Sequence, residues 1–175
     1  MTYRIGRTAA GDWRELRAIR LEALRDSPKA FGESFAEAAA RDDAHWQAKA
    51  AAGATSGDSA LFVARDRSGA WVGVAGVAPI PAVPDHAHVH GVYVSPAHRG
   101  PHGPAVALMD AAIDFARKHT GAARLTLGVH EDNPRARAFY RRLGFTDTGT
   151  VVPYVLDPSE TLHILGYPGF RSAGV

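Results

Sequence analysis

Residues 89–117 read VHGVYVSPAHRGPHG and then PAVALMDAAIDFAR, an order that few architectures accept. Val89, Val92, Tyr93 and Val94 favour a buried strand, and Ser95-Pro96 ends it, because proline has no N–H for a ladder and keeps its predecessor extended. A loop holding Arg99, Gly100 and Gly103 follows. Beyond it Val106, Leu108, Met109, Ala112, Ile113 and Phe115 include the steps of three and four that give a helix one buried face. Unpaired amides and partial positive charge at a helix N-terminus suit a pyrophosphate, though a glycine-containing turn of this kind is more often a plain connection. Gly103 is expected to cap the helix, with Pro104 as its first residue.

Around this unit, 175 residues suffice for one domain with a well-buried core, residues 1–175. With no cysteine, disulfides, thiolate nucleophiles and cysteine zinc sites are excluded. A net charge of +2, dispersed among both signs, gives no reason to expect nucleic acid. No apolar run reaches membrane-spanning length and no leader pattern opens the chain, so a soluble cytoplasmic protein without a membrane partner is the expectation.

Upstream, residues 3–5 suit a strand, and Asp12 is placed to cap a helix with Glu15 three residues on, as in a capping box. Residues 29–40 are ambiguous. Alanine favours helix there, while Gly32 and the spacing of Phe31 and Phe35 suit a loop laid over a groove. Asp43 opens a helix that Gly53 is expected to stop. Residues 61–64 and 71–77 flank a turn at 66–69 as a hairpin, and Pro79, Pro81 and Pro84 mark a loop. A strand at 124–129, a helix at 134–143, and strands at 145–156 and 161–165 around a turn at 157–160 complete the chain.

In LTLGVHEDNPRARAFYRRLGF, Asn133 can cap the later helix with Pro134 at its first position. Tyr140 lies two turns on, so Asn133, Ala136 and Tyr140 share a face, and by itself that reads as a helix with a core tyrosine. The set Asn133, Ala136, Tyr140, Gly144 and Phe145 after a strand is similar to the later motif of the GNAT superfamily of N-acetyltransferases. Val94, Pro96, Arg99 and Gly100 match the family's earlier motif, valine-x-proline-x-x-arginine-glycine. The resemblance covers nearly the whole chain, including LEALRDSPKAFGESF. One extra residue between Arg99 and the pair Gly103 and Ala105 aligns Leu108-Met109 with the family's paired leucines.

The resemblance implies a single α/β domain with a mixed, mostly antiparallel sheet of six or seven strands and about four helices, splayed for acetyl-CoA. It implies transfer of an acetyl group to a primary amine of a small molecule or peptide by direct attack in a ternary complex, with no metal. A homodimer is one assembly it allows. Pantetheine would extend the sheet through Val92 and Val94, and an N–H near Val92 would stabilise the oxyanion. Because Pro101 and Pro104 lack N–H groups, the phosphate cradle falls to the amides of Gly100, His102, Gly103, Ala105 and Val106 beside Arg99, near Asn133 and Ala136. Tyr140 matches the family's general acid.

The amine must lose its proton, and His88, His90, Glu33, Glu37 or water are the candidates to take it; each side chain also reads as merely solvated. His86, His88 and His90 alternate along a strand with Asp85 beside them, which also suits a zinc or copper site and a metal-binding protein. The altered loop allows a third reading, an acyl-CoA-binding module without catalysis. The acceptor pocket is expected from residues 29–46, the loop 79–84 and the region of Tyr154, with Phe31, Phe35, Trp46 and Tyr154 as an aromatic wall or as core.

Overall fold

Seven strands form one sheet in the order β1-β2-β3-β4-β5-β7-β6 in a computed structural model that describes residues 2–171. The strands are β1 (Arg4–Arg7), β2 (Ala60–Arg65), β3 (Trp71–Pro79), β4 (His86–Val94), β5 (Arg124–His130), β6 (Thr146–Tyr154) and β7 (Asp157–Gly166). Every neighbouring pair is antiparallel except β4 and β5. The helices α1 (Trp13–Asp26) and α3 (Asp43–Thr55) pack on one face, around Leu16, Ile19, Trp46, Val74 and Tyr93. On the other face α4 (Ala105–His119) buries Met109, Ala112, Ile113 and Phe115 against Val77, Val89, Leu125 and Leu127. Helix α5 (Pro134–Arg142) joins the second core through Ala136, Phe139 and Tyr140. No helix among the described residues is long and apolar enough to cross a membrane.

A bulge in β4 makes the site. Gly76 pairs with His90 and Val74 with Tyr93, so Gly91 and Val92 stand opposite the single residue Ala75. Gly91 takes φ +62, a left-handed conformation that glycine enters without steric cost. The extra residue reverses the alternation: Val89 lies on the α4 side before it, whereas Val92 and Val94 do so after it and Tyr93 turns to α1. Ladder pairing between β4 and β5 is limited to His86, Ala87 and His88 against Arg124, Leu125 and Thr126. Beyond that point β5 pairs only with β7 among the described residues, which leaves the splay that the resemblance implies.

Several local expectations are corrected. The ambiguous segment contains a fifth α-helix, α2 (Phe35–Ala40), because Ser34 and Glu37 form a reciprocal capping box. Asp12 gives no such cap; its carboxylate accepts from the Ala9 N–H (2.9 Å) and pairs with Arg65 (2.9 Å), tying α1 to the sheet. Gly53 lies inside α3, where a Cβ would press on Leu61 of β2, so it serves close packing and does not stop the helix. Pro104 takes the cap position of α4, one residue later than expected. The β6–β7 turn is Val155-Leu156, and residues 157–160 are strand, with Asp157 accepting from the Ser159 N–H (3.1 Å) and hydroxyl (2.6 Å).

A clasp fixes the loop after α1 to the far end of the sheet. The Tyr154 hydroxyl donates to the Phe31 carbonyl (2.6 Å) and approaches that of Pro28 (3.3 Å), while Lys29 pairs with Asp132 (2.7 Å) and Glu160. Beneath them His130 is buried; its Nδ1 accepts from the Asp132 N–H (3.1 Å), so Nε2 carries the proton donated to Glu160 (3.0 Å). Tyr154→Phe keeps the ring but leaves buried carbonyls unpaired, a loss of ~1–2 kcal/mol. For a domain of this size that lowers Tm by roughly 2–8 °C, measured by thermal melting at neutral pH.

Candidate active site

The opening between β4 and β5 is a cavity of about 750 Å³. Val92 and Val94 on the unpaired edge of β4 form one side, and Asn133, Ala136 and Tyr140 on α5 form the other. Arg99, Gly100, Gly103, Ala105 and Val106 line its mouth, so ten of the expected residues share one space. His102 is exposed and lies outside this lining, although Pro101 and Gly103 on either side belong to it.

The loop is tightly constrained. Gly100 takes φ +120, and a Cβ on Gly103 would overlap the His98 carbonyl oxygen. The Gly103 N–H donates to the Gly100 carbonyl (3.1 Å) and is therefore committed inside the loop, a correction to its expected place in an amide cradle. The amides of Ala105 and Val106 precede the first bond of α4, from the Leu108 N–H to the Pro104 carbonyl (2.9 Å). Arg99 also has partners: its Nε donates to the Val94 carbonyl (2.8 Å) and Nη2 pairs with Asp26 at the end of α1. Although desolvation pushes the Asp26 carboxyl up, the bonds from Arg99 and Ser27 win and hold it below its ordinary range.

Asn133 caps α5 by accepting from the Ala136 N–H (3.1 Å). Tyr140 packs its ring edge-on to Phe145, with centroids 6.1 Å apart, and its hydroxyl has no protein hydrogen-bond partner among the described residues. Burial raises the pKa of that hydroxyl, which keeps it a neutral donor. Phe139 and Leu143 also line the cavity, at the helical spacing from Ala136 and Tyr140 that an extended reading of the same face gives. Arg135 and Arg142 add positive charge to the lining. The claim of Asp26 on Arg99 spans 73 residues and has no local signal in the sequence.

The four side-chain base candidates fare differently. Glu37 is spent on the Ser34 cap, and Glu33 is held by Arg20 (3.1 Å) and Arg41 (3.8 Å). His88 and His90 stack 5.1 Å apart on the α1 face of β4, outside the cavity lining. His86 instead bonds Thr126 (2.8 Å), so the three histidines do not converge, and no group of three potential metal ligands occurs among the described residues. The expected aromatic wall is also corrected. Phe31 alone of the four lines the cavity; Trp46 is core, Tyr154 belongs to the clasp and Phe35 packs under Arg25. Pro79 and Pro84 line a separate space of about 440 Å³ at the other end of β4, with Thr120 and Gly121.

Comparison with known proteins matches residues 14–145 to the acetyltransferase (GNAT) family. An acetyltransferase of the GNAT family from Streptococcus pneumoniae superposes with a TM-score of 0.77 at 16% identity, over 94% of this chain and 98% of that one. The spermidine N-acetyltransferase of Vibrio cholerae, in complex with CoA and spermine, gives 0.73 at 16% identity over 97% and 98%. Nourseothricin acetyltransferase is 34% identical over 63% of this chain and 65% of its own, with a TM-score of 0.56. Among curated proteins none matches.

His90 gives this region a measurable signature. Burial, reinforced by His88, Lys49 and Arg20, pushes its imidazole down from 6.5 to about 4. Between those values the unfolded chain binds a proton that the native state does not, so stability falls as pH drops from 6.5 to 4. The loss is about 1–3 kcal/mol across that interval. Tm measured against pH should therefore fall more steeply for the natural protein than for His90→Gln; parallel curves would show that the imidazole titrates normally.

Proposed function

The chain belongs to the GNAT acetyltransferase family, an acyltransferase class, and on that premise we propose that it moves the acetyl group of acetyl-CoA to an amine of a small molecule or peptide by direct attack. One observation carries the reading: the free edge of β4 at Val92 and Val94 lies across a cavity, open at the start of α4, from a neutral Tyr140 hydroxyl that has no partner among the described residues.

The residues suit the coenzyme. The first amides of α4, with Arg99, Arg135 and Arg142 around the mouth, favour a pyrophosphate, and Gly103 lets the loop fold tightly on the His98 carbonyl beside them. Acetyl-CoA, when bound, supplies an activated thioester. Period two turns the backbone groups of Val92 and Val94 to the same side, so the Val92 N–H and C=O and the Val94 N–H serve a strand-like ligand. The Val94 carbonyl is already satisfied by Arg99. Tyr140 enters as a donor, and its hydrogen bond strengthens as negative charge grows on the departing sulfur. A second copy pairing on the outer edge of β6, where Val151 and Val152 are exposed, is the homodimer that the sheet allows.

Two measurements test this. Acetyl-CoA at a hundredfold excess over Kd should stabilise the native state by about 2.7 kcal/mol, raising Tm by roughly 5–10 °C. No shift at millimolar ligand removes the reading, whereas binding without turnover of any amine leaves the acyl-CoA-binding module. Tyr140→Phe should then lower kcat by roughly 10²–10⁴-fold with little change in coenzyme affinity or Tm. A fully active but destabilised variant makes Tyr140 a packing residue.

A further inference from the structure

Against the opposite face of β4, behind the cavity wall, two cations share one carboxylate and a third stands within its field. Arg20 of α1 donates from Nε (3.2 Å) and Nη2 (3.1 Å) to one oxygen of Glu33, and Arg41 lies 3.8 Å from the other. Lys49 of α3, half-buried over the Trp46 ring at 5.7 Å, makes no ion pair among the described residues. Donors are in excess as well. Trp46 is fully buried and its Nε1–H has no acceptor among the described residues. The His90 ring sits against Gly76, where any Cβ would collide with it, so β3 is shaped to seat this imidazole.

A buried cation or N–H without an acceptor is costly, and a ligand bearing anionic oxygens relieves both. The cluster is next to the reaction space, since the Arg20 guanidinium stacks on Phe31 (4.7 Å to the centroid) and Phe31 lines the cavity. Consistent with the uncompensated charge, burial lowers the pKa of Lys49, with Arg20 acting in the same direction.

We propose that this cluster is the acceptor subsite and that it selects an amine that also carries a carboxylate, an amino-acid-like acceptor. The carboxylate lies against Lys49 and Arg20, and the amine reaches past Phe31 to the thioester. This rests on the acetyl-transfer reading above. The amine nitrogen forms a C–N bond to the acetyl carbon as the C–S bond breaks; the nitrogen gives up a proton and the sulfur gains one, leaving an N-acetyl amino acid and free CoA. A polyamine such as spermine meets like charge here and is disfavoured.

The test is a panel of L-amino acids, their α-amides and spermine with acetyl-CoA, following release of CoA thiol, beside thermal melts with each compound alone. The expected result is turnover of at least one acid with kcat/KM at least about tenfold above that of its amide, and none of spermine. Lys49→Met, which keeps the buried stem, should raise KM for the acid by about ten- to a hundredfold and leave KM for the amide and the acetyl-CoA melt shift unchanged. Amides or spermine as the better substrates, or equal losses for acid and amide in Lys49→Met, overturn the proposal. If no compound is acetylated, the melts decide: stabilisation by an acid and not its amide retains the subsite while removing acetyl transfer, and stabilisation by neither removes the subsite.

Discussion

The short parallel contact between β4 and β5 is the constraint on which the rest of the structure depends. Three residue pairs join the strands, and the Gly91 bulge then turns β4 away. A sheet opened in this manner needs both faces covered on either side of the gap. Helix α4 bridges it from one face through Met109 and Ile113, and α1 with α3 supports β3 and β4 from the other. The cavity is therefore a consequence of strand geometry, and side chains decorate an opening that the backbone has already made.

Much of this was legible because it rests on local rules. The strand–loop–helix unit at residues 89–117 and the Asn133 cap depend on period, proline and capping chemistry, while the grouping of ten of their residues around one cavity came from the resemblance to a family and not from those local rules. What escaped the sequence depends on partners distant along the chain. Asp12 has the residues of a capping box, yet Arg65, 53 residues away, claims its carboxylate. Gly53 resembles a helix stop, but the approach of Leu61 explains it. The tight β6–β7 turn was missed because Val155 and Leu156 carry no turn signature, whereas Asp157-Pro158-Ser159 does; the strand register overrode local preference.

The charges divide into two regions. Around the cavity mouth Arg99, Arg135 and Arg142 face an open space, and Asp26 holds Arg99 ready at its rim. On the α1 face Arg20, Arg41 and Lys49 surround Glu33 in a partly desolvated setting where salt screens less. Phe31 separates the two, lining the cavity and carrying the Arg20 guanidinium. One aromatic ring thus stands where the two positive regions meet.

The clasp has a consequence for how the molecule comes into being. Lys29 reaches Glu160 across 131 residues, and Tyr154 reaches Phe31 across 123. Contacts of that sequence separation close the largest loops in the chain and form late, after the local hairpins and helices. During synthesis, residues 27–31 have no β6–β7 hairpin to rest on until residues 154–160 have emerged. A nascent chain that lacks this hairpin has an unanchored cavity wall at Phe31, so a closed binding space follows the hairpin and does not precede it.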